Sequence, residues 1–440
     1  MKRSEFMHQL RESCCEPAAA DRVRQTWPAW MPRLAFGDAQ RGDILIVVFL
    51  RGAADALNVI VPHGEPAYYA QRPTLAIARP DDTGAKAADR AVDLDGFFGL
   101  HPALRSLLPA WQQGHLAPIH ACGAPDESRS HFKAMELMER GVEDPAGPAS
   151  GWINRHLASL DTGNPSPLRA VGLGEAAQRS LQGAIPVTAL RSISEFHLAG
   201  DRRIEQLMQA GLSSLYRGED PLGRLGRETL RILDTLERLH PHSYRPREAA
   251  VYPTTAFGLG LLQIAMLVKA EVGLEVAAID LGGWDTHFAQ GANEGHMAGL
   301  LADLGQGLAA LHADLADFHS RLSVVVMTEF GRRVQENASL GTDHGHGSLM
   351  LLLGGNVVGN KIHGRWPGLE QDQLFGPGDL AVTTDYRDVL SELCGLRLNN
   401  PALSQVFPNF RPRQSGFVRP GSPRSALPVQ EDLQHTQIDL

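Results

Sequence analysis

The sequence predicts an α/β fold: a three-layer, doubly wound and mostly parallel sheet with helices on both faces. The segment 44–50, Ile-Leu-Ile-Val-Val-Phe-Leu, is an unbroken apolar run, which is typical of a strand buried on both faces of a parallel sheet. Similar runs recur at 117–121, 170–173, 276–281, 322–328 and 349–353. Between them, apolar residues recur three and four positions apart at 102–113, 130–140, 255–272 and 295–321. Strands that alternate with helices indicate a doubly wound sheet.

Composition is that of an ordinary globular protein and excludes several classes. Of the 440 residues, 43% are hydrophobic and 21% are charged, which is sufficient for a core. The formal net charge is -9 and no Lys/Arg cluster is present, so a nucleic-acid partner is not expected. The cysteines, at positions 14, 15, 122 and 394, have the spacing of neither a disulfide framework nor a zinc knuckle. No apolar stretch approaches the roughly 20 residues of a transmembrane helix, so no transmembrane segment is expected.

The chain is predicted to have three parts. Residues 1–40 are polar; they weakly resemble a twin-arginine export signal, but charged residues replace its apolar region. We therefore expect no export by that route and a cytoplasmic location. An α/β domain is expected at 41–400, with a charged helical insertion near 196–240 that is either a solvated bundle face or a cap over the site. Apolar periodicity is lost from about 408 onward, which predicts a disordered tail over 401–440.

Two glycine-rich segments each place an Asp beside or near a His. They are 282–287, with Asp285 and His287, and 341–347, with Asp343 and His344. Imidazole and carboxylate groups are the usual ligands of catalytic zinc, and carboxylate-rich sites also suit manganese or magnesium. The segments therefore predict one or two divalent metal ions. The alternative is that these are loop histidines that only form hydrogen bonds.

The predicted sheet indicates further candidate metal ligands, because sheets of this kind bind ligands at the carboxyl ends of their strands. Asp55 follows the strand 44–50 and Glu329 follows 322–328, so both are further candidate metal ligands. Capping of the next helix is an equal alternative for Asp55. Asp343 and His344 precede a strand, and they reach the same edge only if that strand is antiparallel or the loop after Glu329 carries them back.

The candidate catalytic groups are hydroxyls and guanidiniums. Ser130 opens a predicted helix, whose N-terminus favours anions, and a metal could activate its hydroxyl as a nucleophile. An N-cap role is the alternative, and Ser128 and His131 are rivals for the nucleophile. Arg129 and Arg332 are candidates for a clamp on a tetrahedral anion. His363 and Asp385 are further candidates for the metal shell, whereas His63, His101, His115 and His120 are interpreted as structural.

Over about residues 41–395 the chain resembles the bacterial domain-of-unknown-function family 1501. Seven segments carry the resemblance: 49–58, 97–102, 128–132, 283–287, 328–333, 342–345 and 384–387. That family, often exported, is grouped with the alkaline phosphatase and sulfatase superfamily, which implies an α/β sheet with a two-metal site that transfers phosphoryl or sulfuryl groups. In this resemblance 342–346 is similar to the Asp-His metal motif of alkaline phosphatases. Asp285 with His287 is similar to the pair that binds the other metal, and Asp55 takes the place of the first-strand aspartate.

Two functions are consistent with these features. The first is a metal-dependent hydrolase of phosphate or sulfate esters, which acts on an anionic ester substrate. The second is a catalytically silent binding or assembly protein of a cell-envelope system that retains the fold.

Overall fold

The computed structural model describes residues 42–421, except 175, 194, 195, 197, 199–201, 219 and 240–243. The predictions for residues 1–40 and for 422–440 lie outside the described residues. The strands in chain order are β1 Ile44–Leu50, β2 Ile60–Val61, β3 Val92–Asp93, β4 Gly99–Leu100, β5 Leu116–Gly123, β6 Ala170–Leu173, β7 Thr188–Leu190, β8 Val276–Leu281, β9 Leu322–Thr328, β10 Ser348–Leu353 and β11 Thr384–Asp385.

Eight of these strands form one mostly parallel sheet, in the order β11-β5-β10-β9-β1-β8-β6-β7. The three long apolar runs are neighbours at its centre: Leu50 of β1 pairs with Thr328 of β9 and with Leu281 of β8, both in parallel. The prediction that these runs are central strands is therefore confirmed. Strands β2, β4 and β3 form a separate small antiparallel sheet.

Helices cover both faces of the main sheet. The longer ones are His131–Arg140, Trp152–Ser159, Arg202–Leu215, Pro221–Leu239, Ala256–Lys269, His296–Asp314 and Tyr386–Glu392, and short ones are Ala56–Val59, Pro66–Gln71, Leu108–Gln112 and Leu403–Val406. Alternate residues of β1 enter opposite cores: Ile46 packs with the helices 256–269 and 296–314, while Val47 packs with 152–159 and 386–392. This alternation explains why the whole of β1 is apolar. The predicted α/β class, with helices on both sides of the sheet, is confirmed.

The strand β10 runs against its neighbours. It pairs antiparallel with both β9 and β5. Residues that precede β10 therefore lie at the same edge as residues that follow β9. The loop after β9 adds a second constraint, because Gly345 N donates to Gly331 O and Arg333 N donates to Asp343 O. Asp343 and His344 therefore reach the carboxyl edge, because β10 is antiparallel and because the loop after Glu329 carries them back.

The insertion predicted near 196–240 contains the helices 202–215 and 221–239. Ile232 and Leu236 of the second helix are buried in the main core, whereas Leu207 and Leu215 of the first are exposed. The second helix therefore anchors the insertion to the domain. Among the described residues, no helix is both long enough and apolar enough to cross a membrane.

The expected disordered tail differs from the structure over 401–421. This part contains the helix 403–406, and Phe407, Phe417 and Val418 are buried in the core with the helix 386–392. Backbone atoms of Phe417 and Val358 are hydrogen-bonded, and Val418 forms a bridge with Val357. A few separated apolar anchors fix this segment, and they are too sparse to give a periodic pattern.

Candidate metal centre

Three imidazoles and one carboxylate meet beyond the carboxyl ends of β1, β8 and β9. Nε2 of His344 lies 2.9 Å from Nε2 of His131 and 2.8 Å from Nε2 of His287. Oδ1 of Asp285 lies 3.1 Å from Nε2 of both His344 and His287, and 3.5 Å from Nε2 of His131. The same nitrogen of each ring and a single carboxylate oxygen therefore face a common point.

The second nitrogen of every ring has an acceptor. Nδ1 of His131 lies 2.8 Å from Oε1 of Glu329, and Nδ1 of His287 lies 3.1 Å from Oδ1 of Asp343. Nδ1 of His344 lies 2.9 Å from the carbonyl oxygen of Arg129. With its proton on Nδ1, each ring presents the lone pair of Nε2 to the common point. This tautomer, fixed by a carboxylate or a carbonyl, is the usual state of a metal-ligating histidine.

The spacing fits a transition-metal ion. In a tetrahedral zinc site with bonds of about 2.0 to 2.1 Å, neighbouring ligand atoms lie about 3.3 Å apart. The five separations given above, 2.8 to 3.5 Å, lie around that value. His131, His344 and Asp285 each have a ligand atom within 4.8 Å of the other two, so these three could hold one divalent ion, and His287 would complete the set after a rearrangement of its ring.

Two glycines allow the loops to approach closely enough to form this cluster. Gly52, just after β1, has φ +119°, and a Cβ there would lie 2.5 Å from the backbone N of Asp285. At Gly331 a Cβ would lie 1.8 Å from the carbonyl oxygen of Gly347. A side chain at either position would push apart the loops that carry Asp285 and His344.

Buried ionic groups support the ligands. Burial acts to raise the pKa of Asp285, but the hydrogen bond and the charge of Arg332 outweigh it, and that pKa is lowered to about 2. The hydrogen bond to Glu329 raises the pKa of His131, whereas burial is the largest cause of the lowered pKa of His344. Asp285 is thus held as a carboxylate that is ready to bind a cation.

Arg332 has a different position from the predicted anion clamp. It is fully buried and its five hydrogen bonds all go to the protein: to the carbonyl oxygens of Gly52, Ala53, Trp284 and Thr342, and to Oδ1 of Asp285 at 2.7 Å. Such a guanidinium is held inside the protein and is not exposed to a ligand from solvent. Its role is to position Asp285 and to join three loops.

Asp55 is also placed away from the cluster. Its oxygens accept from Nη1 and Nη2 of Arg72 at 2.5 and 2.9 Å, and Nε2 of Gln290 lies 2.7 Å from Oδ2. Asp55 is the N-cap residue of the helix 56–59, but its side chain makes no capping hydrogen bond. The structure therefore gives it neither predicted role: it is the buried partner of Arg72.

The serine and arginine candidates lie beside the cluster. Ser130 is the N-cap residue of the helix 131–140, yet its side chain makes no capping hydrogen bond and it is exposed. Oγ of Ser128 accepts from the backbone N of Ser130 at 3.3 Å. Arg129 donates to the buried Asp379, and its side chain is 35% exposed. Since the carbonyl of Arg129 accepts from His344, this loop borders the candidate ligands.

His363 and Asp385 are not brought to the cluster. His363 Nε2 lies 2.7 Å from the carbonyl oxygen of Val358, and Asp385 pairs with Arg387 and caps the helix 386–392. The sequence did not predict His131 as a metal ligand and indicated it only as an alternative nucleophile. A signal was available, because His131 follows the carboxyl end of β5 as the other candidates follow their strands.

The profile of a family described as "Protein of unknown function (DUF1501)" matches residues 43–398. The chain belongs to the DUF1501 family. A comparison with curated proteins finds no significant match. The DUF1501 region contains all four candidate ligands and the groups that hold them.

Proposed function

We propose that this DUF1501 protein is a metal-dependent hydrolase of phosphate or sulfate esters, on an alkaline phosphatase-like fold. One observation carries the proposal: Nε2 of His131, His287 and His344 and Oδ1 of Asp285 meet at the carboxyl edge of the sheet, and the Nδ1 of each ring is held by an acceptor. That edge is where sheets of this kind bind ligands.

The ligand set favours one zinc-like ion. Three imidazoles with one carboxylate suit zinc better than magnesium, which prefers oxygen ligands. Asp55 is already paired with Arg72, and Asp343 holds His287, so neither is free to build a second metal position. When bound, the ion would supply Lewis-acid stabilisation of negative charge on an ester oxygen.

The chain's own groups supply the rest of the proposed chemistry. Ser130 offers an exposed hydroxyl that is not used as a cap, at the N-terminus of a ten-residue helix, where backbone N–H groups favour an anion. Arg129 is the guanidinium available for the anion, because its side chain is 35% exposed whereas Arg332 is fully buried. Asp285 and His287 are 49% and 42% exposed, so the cluster is open to a solvent-borne ester.

The test begins with metal content. The full chain is stripped with a chelator, reloaded with Zn²⁺ and measured by inductively coupled plasma mass spectrometry, then assayed on p-nitrophenyl phosphate, bis(p-nitrophenyl) phosphate and p-nitrophenyl sulfate. His344→Ala should lose one equivalent of zinc together with all turnover. The matched control is His63→Ala, since His63 also pairs with a carboxylate, Asp93, but lies outside the cluster. Unchanged zinc content in His344→Ala would contradict the ligand assignment.

A second pair of variants addresses the nucleophile. Ser130→Ala should keep the bound zinc and lose turnover by about 100-fold or more if its hydroxyl attacks the ester. Ser128→Ala is the matched control; loss in this variant alone would move the role to Ser128. Zinc that is bound without turnover of any of the three esters would contradict the hydrolase and support the binding or assembly alternative.

A further inference from the structure

Three histidines meet at the opposite edge of the sheet. His115 immediately precedes β5, His319 precedes β9, and His312 lies in the last turn of the helix 296–314. The carbonyls of His115 and His319 accept from Gly354 and Gly355, which follow the antiparallel β10. All of these positions belong to the amino edge of the parallel strands. Strands of seven residues separate this edge from the first cluster by about 20 Å, at about 3.3 Å per residue.

The three rings are in mutual contact. Nδ1 of His115 lies 3.0 Å from Nε2 of His312, and the rings of His312 and His319 stack with centroids 4.0 Å apart. One nitrogen of each ring lies within 4.8 Å of one nitrogen of both others. This is wider than the spacing around a bound ion, and modest side-chain rotations of the two partly exposed rings would close it.

The rings carry the chemical features of ligands. His312 is buried, His115 and His319 are partly exposed, and a neutral imidazole has one nitrogen with a free lone pair. Nε2 of His319 lies 2.7 Å from the carbonyl oxygen of His312, an acceptor of the kind that orients a ligating imidazole. Within the described residues, none of the three imidazoles is hydrogen-bonded to a carboxylate.

The hydrogen bond between two of the rings leaves the third without a part in it. Nδ1 of His115 and Nε2 of His312 share one proton. A third ring, that of His319, is packed against both. A cation would bind lone pairs of all three rings at once and would join β5, the helix 296–314 and the turn before β9.

We propose that His115, His312 and His319 form a second metal site, which takes a first-row divalent ion that favours imidazole, with zinc as the probe ion. Imidazole-only sites suit zinc, copper(II) and nickel(II). The site is independent of the proposed hydrolase. Three protein ligands leave at least one position for water.

Stoichiometry separates the two sites. The full chain, free of any affinity tag and stripped with a chelator, is titrated with Zn²⁺ against a competing chromophoric chelator. We expect two equivalents in the wild type, one in His312→Gln, one in His344→Ala, and none in the double variant. His63→Gln, an imidazole outside both clusters, should retain two. Co²⁺ in place of zinc should give visible absorption bands from both sites, and each single variant should lose one set.

Thermal unfolding gives a second measurement. Saturating zinc should raise the Tm of His344→Ala by about 3 °C through the remaining site, and should leave the Tm of the double variant unchanged. Since His312 is buried, its variant could fold poorly; His115→Gln, at a partly exposed position, must then give the same loss of one equivalent. Two equivalents retained in His312→Gln or His115→Gln would overturn the proposal. So would a wild type whose single equivalent is lost in His344→Ala. A single equivalent that is lost in His312→Gln but kept in His344→Ala would support this site and contradict the hydrolase centre.

Discussion

Glu329 offers the sharpest test of the candidate metal centre, because it acts on a ligand without being one. Its buried carboxylate accepts from Nδ1 of His131 and from the backbone N of Gly52, both at 2.8 Å, and from Oγ1 of Thr328 at 3.0 Å. Glu329→Gln keeps the shape of the side chain and an oxygen for the first two donors. His131 also remains stacked on Phe330, with ring centroids 4.9 Å apart. The substitution therefore removes a negative charge while the geometry is retained.

The expected loss is in metal affinity. Partners that hold the second nitrogen of a ligating histidine typically contribute 10- to 100-fold to affinity. We expect Glu329→Gln to weaken zinc binding at this site by about 30-fold, which is about 2 kcal/mol. The matched control is Asp343→Asn, which alters the equivalent partner of His287. That carboxylate is 54% exposed, so water can replace it, and we expect a loss of about 3-fold.

The assay is competition for Zn²⁺ between each variant and a chromophoric chelator, in the background His312→Gln so that only one site is measured. Circular dichroism checks that each variant is folded. Equal affinity in Glu329→Gln and the wild type would refute the reasoning, because the rings would then not depend on their Nδ1 partners. A larger loss in Asp343→Asn than in Glu329→Gln would show that burial does not set the size of the effect.

Two further predictions concern stability. Gly52→Ala should lower the free energy of unfolding by about 3 kcal/mol in urea denaturation, because its φ is +119° and the new Cβ would lie 2.5 Å from the backbone N of Asp285. The control is Gly96→Ala, which has φ +86° but open space around the new Cβ and should lower it by about 1 kcal/mol. Equal losses in the two variants would contradict the steric argument. Burial acts to raise the pKa of Asp314, but hydrogen bonds from Lys269 and Tyr244 outweigh it and lower that pKa. The stabilisation that ionised Asp314 gives to the folded state is therefore present above the pKa of the unfolded chain, about 3.9, and is lost as pH falls through the folded pKa. Asp314→Asn should be about 2 kcal/mol less stable at pH 7, and the difference should shrink below about pH 4; a constant difference would contradict the linkage.

The sheet was predictable because its central strands are buried on both faces, so that their sequences are mostly apolar. β1 is apolar throughout, β8 contains one charged residue, Asp280, and each of β1, β8 and β9 was predicted at its bounds. β7 and β11 have three and two residues, which is too short for any periodic signal. The packed segment 401–421 was also missed, because its burial depends on distant partners such as Val357.

For the candidate site, the Asp-His segments and the positions of residues near strand ends were both informative. Asp285, His287 and His344 were predicted on these two grounds, and they do meet. Asp55 satisfied the same rule, but its partner Arg72 reaches it through a fold that no local pattern shows. A carboxylate at a strand end can bind a metal or neutralise a buried guanidinium. The sequence does not distinguish these two cases, because the partner's position is set by tertiary packing.

The two arginines show why such a cluster can exist at a solvent-open edge. Arg332 and Arg72 are both fully buried, and each joins loops that follow different strands: Arg332 binds carbonyls of Gly52 and Trp284, and Arg72 binds those of Arg333 and Val334. A guanidinium has five donors in a rigid plane, so it fixes several carbonyls at defined angles. The loops that carry Asp285 and His344 are thereby held before any ion binds. A ligand set that is fixed in advance loses little conformational freedom on binding, so little of the binding free energy of the ion is spent on ordering these loops.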